Sequence, residues 1–216
     1  MIHINPNIKI AVAVLAGGNS SRMGLPKAGL KLISGQTMFE HGYAIAQELE
    51  LPCIVVGHAK GIELNSYLGL LVIPDEIPGC GPVGALLGLL KSNEATHYLV
   101  IACDQPLLTA TLVGKLLVDT DERPTVFMNS FDGSIAPLPG LYPASLLPLV
   151  KQLLRQTRAS LRELLAKSDA RTIAIAEEDY IRLRSANAPQ DVAEINALLS
   201  SLSYKTVIRN PSDRRI

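Results

Sequence analysis

The sequence predicts an α/β fold, a three-layer α/β/α sandwich built on a mostly parallel, Rossmann-like sheet. Three observations predict it. Short apolar runs alternate with longer stretches of helical periodicity, the pattern of βαβ units. The first run, Ile10–Leu15, is nearly continuous in apolar residues, as a strand covered on both faces requires. The chain is 48% hydrophobic but only 4% aromatic, without Trp, so Leu, Ile, Val and Ala must fill a large core.

The elements follow in order. After the Ile10–Leu15 strand comes a Gly- and Ser-rich stretch, then a helix over Met38–Leu49. Cys53–Val56 and Leu70–Ile73 are the next strands, and Pro82–Lys91 is a helix that accepts Pro in its first turn. Tyr98–Ala102 is a fourth strand, and Thr109 caps a helix reaching Val118. Thr125–Met128 is a strand, and Asp132-Gly133 signals a hairpin that breaks the parallel pattern. Ser160 and Glu163 have capping-box spacing at the head of a short helix. Arg171–Ile175 is a strand, and the last helix spans Pro189–Leu202 with Val192, Ile195, Leu198, Leu199 and Leu202 on one face. The 216 residues suit one domain over 1–202 with a polar tail over 203–216.

Charge narrows the partners. Twenty Lys and Arg balance 20 Asp and Glu, which argues against nucleic acid or a membrane surface as the main partner. No apolar run approaches the roughly 18 residues that span a bilayer. Residues 1–9 carry no signal-peptide pattern, so a cytoplasmic protein is expected. Cys53, Cys80 and Cys103 are scattered and odd in number, as for buried thiols in a reducing compartment. His3, His41, His58 and His97 lack metal-ligand spacing.

The most informative segment is Leu15-Ala16-Gly17-Gly18-Asn19-Ser20-Ser21-Arg22-Met23-Gly24-Leu25-Pro26-Lys27. It begins where a buried strand ends, the place at which open α/β sheets bind ligands. Its glycines let the backbone approach a ligand and aim N–H groups at phosphate oxygens. Arg22 and Lys27, with no acid among them, suit a polyanion. No Gly-Lys-Ser/Thr closes the loop, so it is not a Walker A motif. The bland alternative is an ordinary βα loop with surface cations.

Asp104 directly follows the Tyr98–Ala102 strand and Cys103, so its carboxylate faces the same crevice, as a Mg²⁺ ligand or as a helix-capping Asp. Gly79, Gly81 and Gly84 satisfy G-x-G-x-x-G between a strand and a helix, which raises a dinucleotide-binding rival. Five residues from Pro74 to Pro78 precede the first Gly, and Pro82 removes an N–H where a pyrophosphate needs one. Both count against that rival.

The glycine-rich segment resembles the signature LAGG-x-S-x-RMG-x-x-K of the molybdenum cofactor guanylyltransferase (MobA) family of NTP transferases. Leu15, Ala16, Gly17, Gly18, Ser20, Arg22, Met23, Gly24 and Lys27 match every fixed position. The resemblance runs from about Ile10 to Leu199 and implies transfer of GMP from GTP to molybdenum–molybdopterin, with release of pyrophosphate. It implies that Leu15, Ala16, Gly17 and Gly18 hold base and phosphates, that Arg22 and Lys27 neutralise the triphosphate, and that Asp104 binds Mg²⁺. It places Asp75 near the nucleoside and has Gly81 and Pro82 shape the pocket. Residues 137–143 and 160–165 look like acceptor-side segments. Asn187, in Ser185-Ala-Asn187-Ala-Pro189-Gln-Asp191, is an acceptor-binding candidate or an ordinary N-cap. Other proteins of molybdenum-cofactor biosynthesis would be partners.

Two departures stand out. Ser185 and Ala188 replace an Asn and a Thr of the family element Asn-x-Asn-Thr-Pro, which weakens the expected polar contacts to an acceptor. Val56-Gly57-His58-Ala59 lacks the Asn residues of guanylyltransferases and is closer to cytidylyl relatives, whereas Leu15–Gly18 favours guanine. The rivals are a sister enzyme using CTP or another phosphorylated acceptor, and a nucleotide-binding protein without catalysis.

Overall fold

A computed structural model describes residues 8–17, 26–67, 69–77, 79–155 and 159–208. Its strands are β1 (Ile10–Leu15), β2 (Cys53–Val56), β3 (Leu71–Ile73), β4 (His97–Ala102), β5 (Thr125–Asn129), β6 (Ile135–Pro143) and β7 (Arg171–Ile175). Its α-helices are α1 (Met38–Glu48), α2 (Gly81–Ser92), α3 (Ala110–Gly114), α4 (Leu147–Leu154), α5 (Leu161–Lys167), α6 (Glu177–Tyr180) and α7 (Pro189–Ile208). One seven-stranded sheet has the order β3-β2-β1-β4-β6-β5-β7. Only β6 pairs antiparallel, on both of its sides, so the sheet is mostly parallel as expected.

Alternation along β1 builds the layers. Val12 and Val14 pack with Phe39 and Ile45 of α1 and with Leu112 and Val113 of α3. Ala11 and Ala13 face the opposite side, toward Val83, Leu86 and Leu89 of α2, Val150 and Leu153 of α4, and Leu161 and Leu164 of α5. A strand with period-2 side chains and helices on both faces must be apolar throughout. A smaller cluster, with Met38, Leu107, Ala186 and Ile195, docks α7.

Local chemistry sets the boundaries. Thr37 Oγ1 accepts from the Glu40 N–H at 3.1 Å while Glu40 Oε2 accepts from the Thr37 N–H at 2.6 Å, a full capping box on α1. Those bonds hold the Glu40 carboxyl below its ordinary pKa. Thr109 caps α3 as expected, accepting from the Leu112 N–H. That element turns 3₁₀ over Lys115–Leu117 and ends before Val118. Only half of the Ser160/Glu163 box forms: Ser160 Oγ accepts from the Glu163 N–H, and Glu163 instead pairs with Lys167. The last helix runs six residues past the expected Leu202, to Ile208.

The hairpin at Asp132-Gly133 is present: Asp132 Oδ1 accepts from the Ser134 N–H, and Gly133 has φ +72°. Its return strand β6, like α4 and α6, is not among the elements expected from the sequence, and Pro137 and Pro139 argue against a strand there. The register explains the tolerance. Val126 pairs with Gly140 and Phe127 with Ala136, so residues 137–139 bulge out of the ladder, where a missing N–H costs nothing. The Leu138–Pro139 peptide is cis.

Candidate active site

The strand order reverses between β1 and β4, since the chain leaves β1 for β2 and β3 on one side and continues from β4 on the other. That switch point opens a crevice at the strands' C-terminal ends. Register then aligns what lines it. Leu15 pairs with Val56 and with Ala102, and Val56 pairs with Ile73, so four strands end level. One or two residues beyond that level stand Gly17, Gly57, Asp75 and Asp104.

Gly17 and Gly57 bring the first two loops into backbone contact. A Cβ on Gly57, whose φ is +97°, would lie 2.5 Å from Gly17 Cα, and one on Gly17 would lie 3.3 Å from Gly57 Cα. The Ala16 N–H donates to Val56 O at 2.9 Å and the Gly57 N–H to Ile73 O at 2.8 Å, which stitches the three loops together. Asp75 borders this contact: its Oδ2 is 3.9 Å from a Cβ placed on Gly17 and its Oδ1 is 3.4 Å from one on Gly84. Among the described residues Asp75 Oδ1 is buried without a hydrogen-bond partner, an arrangement that asks for a donor.

Across the crevice, Lys27 opens a short 3₁₀ turn and reaches two groups far away in sequence. Its Nζ donates to Asp104 Oδ2 at 2.9 Å and to Asn187 Oδ1 at 2.7 Å. The Lys27 and Asp104 side chains are 20% and 17% exposed, a partly desolvated pair facing the opening. Asn187 thus turns its side chain to Lys27. The turn before α7 is instead held by Asp191 Oδ2, which accepts from the Asn187 and Ala188 N–H groups and is thereby kept below the ordinary Asp pKa. The Ala186 N–H donates to Asp104 O at 2.7 Å, docking this segment on β4.

The structure therefore brings Lys27, Asp104 and Asn187 together, sets Gly17 beside Asp75, and leaves Leu15 and Ala16 against the ends of β2 and β4. Gly18 and Arg22, with Asn19–Met23, Gly24 and Leu25, lie outside the described residues. Gly81 and Pro82 start α2 and line a cavity of about 780 Å³. Its other walls are residues 135–138 of β6, 159–162 at the head of α5, 180–181 and 183–185, and Gln105 on the floor. Both sequence segments read as acceptor-side contribute to it. Arg162 and Arg184 stand at the wall, Arg184 paired with Glu194 at 2.8 Å.

Two readings need correction or addition. Not all thiols are buried: Cys80 is exposed at the cavity wall. Burial does push Cys53 and Cys103 up to about 12, so both stay neutral. Gln105 carries no chemical motif and passed without a role, although its buried side chain floors the cavity. Only an amide flanked by Asp104 and Pro106 could have signalled it.

Residues 12–172 match the model of the MobA-like NTP transferase domain. The chain belongs to this family. A relative from Opitutus terrae, named "Probable molybdenum cofactor guanylyltransferase", is 30% identical over 190 residues, covering 84% of this chain and 92% of its own. The molybdenum cofactor guanylyltransferase of Rhizobium meliloti is 33% identical over 141 residues, 62% of this chain and 63% of its own. Among solved structures, molybdopterin-guanine dinucleotide biosynthesis protein A from Archaeoglobus fulgidus superposes with a TM-score of 0.68 at 18% identity, over 88% of this chain and 99% of its own. The G-x-G-x-x-G at Gly79–Gly84 is thus not a dinucleotide fingerprint: it follows β3 at the sheet edge, whereas the loop at the switch point follows β1. Among the described residues no helix is long and apolar enough to cross a membrane.

Proposed function

We propose that this chain is a cytoplasmic molybdenum cofactor guanylyltransferase, moving GMP from GTP to molybdenum–molybdopterin with release of pyrophosphate. The observation that carries the reading is the Lys27–Asp104–Asn187 contact, set between the Gly17–Asp75 crevice and the cavity walled by Arg162 and Arg184. One side suits a nucleotide and the other a second anionic substrate, with the charged pair where they meet. The names of the relatives agree with it.

In the reaction, a phosphate oxygen of the acceptor attacks the α-phosphorus of GTP. That P–O bond forms as the bond to the bridging oxygen breaks, and pyrophosphate departs with the electron pair. The nucleophile is already anionic, so no general base is required. Positioning and charge neutralisation supply the rate. Lys27 exchanges its present partners for phosphate oxygens, aided by Arg22 from the same loop. Asp75, bordering the crevice beside Gly17, accepts from a nucleoside N–H.

Asp104 is the residue that would hold Mg²⁺. It fits: a hard carboxylate oxygen at the crevice, now matched by an ammonium, and an ion that takes few protein ligands and completes its shell with water and phosphate. When bound, Mg²⁺ offsets charge on the phosphate oxygens in the transition state. Proteins that deliver the pterin or receive the product would be the partners.

Isothermal titration with GTP and with CTP, each with and without Mg²⁺, tests this reading. GTP preference that depends on Mg²⁺ is expected. CTP preference would move the chain to the cytidylyl branch, and binding of neither would remove catalysis from the account.

A further inference from the structure

We propose that Gln105 is a positioning residue that registers the acceptor against the charged pair, an inference that rests on the functional reading above. Gln105 adjoins Asp104 and is only 4% exposed. Its amide makes three hydrogen bonds, with both donors used. Oε1 accepts from the Ala102 N–H at 3.3 Å, while Nε2 donates to Leu138 O at 3.0 Å and to Leu183 O at 2.8 Å.

Those three partners belong to three different parts of the site. Ala102 ends β4, two residues before the carboxylate that meets Lys27. Leu138 lies in the β6 bulge, one wall of the cavity. Leu183 lies in the neighbouring stretch of the lining, beside Arg184 and Ser185. One side chain therefore joins these two stretches of the cavity lining and ties each to the strand that leads to Asp104.

The bulge depends on such a tie. Residues 137–139 have left the β5 ladder, so their carbonyls need partners elsewhere. Tyr142 Oη donates to Pro137 O at 2.6 Å, and Gln105 Nε2 takes Leu138 O. In the neighbouring stretch, Asp104 O accepts from Ala186 and Gln105 holds Leu183, so successive residues clamp the 183–186 segment. A reaction between two bound substrates is sensitive to misplacement of about 1 Å. Gln105 touches neither reacting group in this arrangement; it acts through the walls.

The test compares the unmutated protein with Gln105→Leu, which keeps bulk and loses all three bonds, and Gln105→Glu, which turns oxygens toward two carbonyls. Titration gives the Kd for GTP with Mg²⁺, and pyrophosphate release gives kcat and KM for molybdopterin at saturating GTP. The expected result is a KM for molybdopterin raised about tenfold, the factor that ~1.4 kcal/mol represents, with the GTP Kd changed less than about twofold. Gln105→Asn, which keeps the amide, should recover part of the loss. An unchanged molybdopterin KM in Gln105→Leu, or equal loss of GTP binding, would overturn the inference. If the variants fail to fold, the Gln105 side-chain amide of the unmutated protein decides by NMR. Its protons should be slow to exchange and should shift with molybdopterin but not with GTP alone; no shift with molybdopterin overturns the proposal. Absence of pyrophosphate release by the unmutated protein sinks the functional reading instead.

Discussion

Substituting Gly57 by Ala tests the contact on which the nucleotide crevice depends. The new Cβ would stand 2.5 Å from Gly17 Cα, 2.6 Å from Gly17 N and 3.4 Å from Ala16 C. These are backbone atoms, so no rotamer change relieves the overlap. Ordinary carbon contacts begin near ~3.5 Å, so the two loops must part by about 1 Å. That opening breaks the Ala16–Val56 hydrogen bond, a loss of ~1 kcal/mol. Holding Ala at φ +97° adds ~1–2 kcal/mol. The total is about 2–3 kcal/mol, or ~4–12 °C in Tm for a chain of this length. Gly133→Ala supplies the control, because Gly133 also has positive φ but nothing within 4 Å of its added Cβ. It should lose only the conformational share, ~1–2 kcal/mol. Thermal unfolding of both variants, followed by GTP titration, reads the difference. Gly57→Ala should bind GTP at least about tenfold more weakly, since Gly17 is displaced, and Gly133→Ala should bind it normally. Equal Tm shifts and equal GTP affinities in the two variants would refute the argument.

Two further outcomes are expected. Asp104→Ala should reduce turnover by about 10³-fold with Tm little changed, whereas Lys27→Ala should chiefly weaken GTP use; pyrophosphate release and thermal shift check both, and retained turnover in Asp104→Ala would remove its metal role. Stability should fall as pH drops from 7 toward 5 through His41. Burial holds its pKa below the ordinary value, outweighing the Leu108 carbonyl that accepts from Nε2 at 3.0 Å. A depressed histidine contributes stability that is whole above the unfolded pKa of ~6.5 and is lost as pH falls below it. Tm measured against pH should therefore slope less in His41→Gln; an identical slope would acquit His41.

Much of this fold was legible because its signals are local. β1 and β2 match the apolar runs residue for residue, since a strand covered on both faces must be apolar whatever covers it, and the expected edge strand Arg171–Ile175 is β7. Thr109 and Asp132-Gly133 act within a few residues of themselves, so their capping and turning roles could be read directly. The signature loop was legible as a family motif, which the match over residues 12–172 bears out. β6 was not, because its prolines read as strand breakers until a bulge gives them a place. Gln105 was invisible for a related reason: an amide shows its use only when its partners are known.

The sequence by itself determined the fold class, the family and the residue types at the crevice, because these follow from periodicity and from a contiguous motif. Only the tertiary structure decided which groups meet. Lys27 is 77 positions from Asp104 and 160 from Asn187, separations over which no local rule operates. Gly57 has to be glycine because another loop's backbone fills the space of its side chain. Those pairings come from the strand order and from four strands ending level, and both are properties of the assembled sheet.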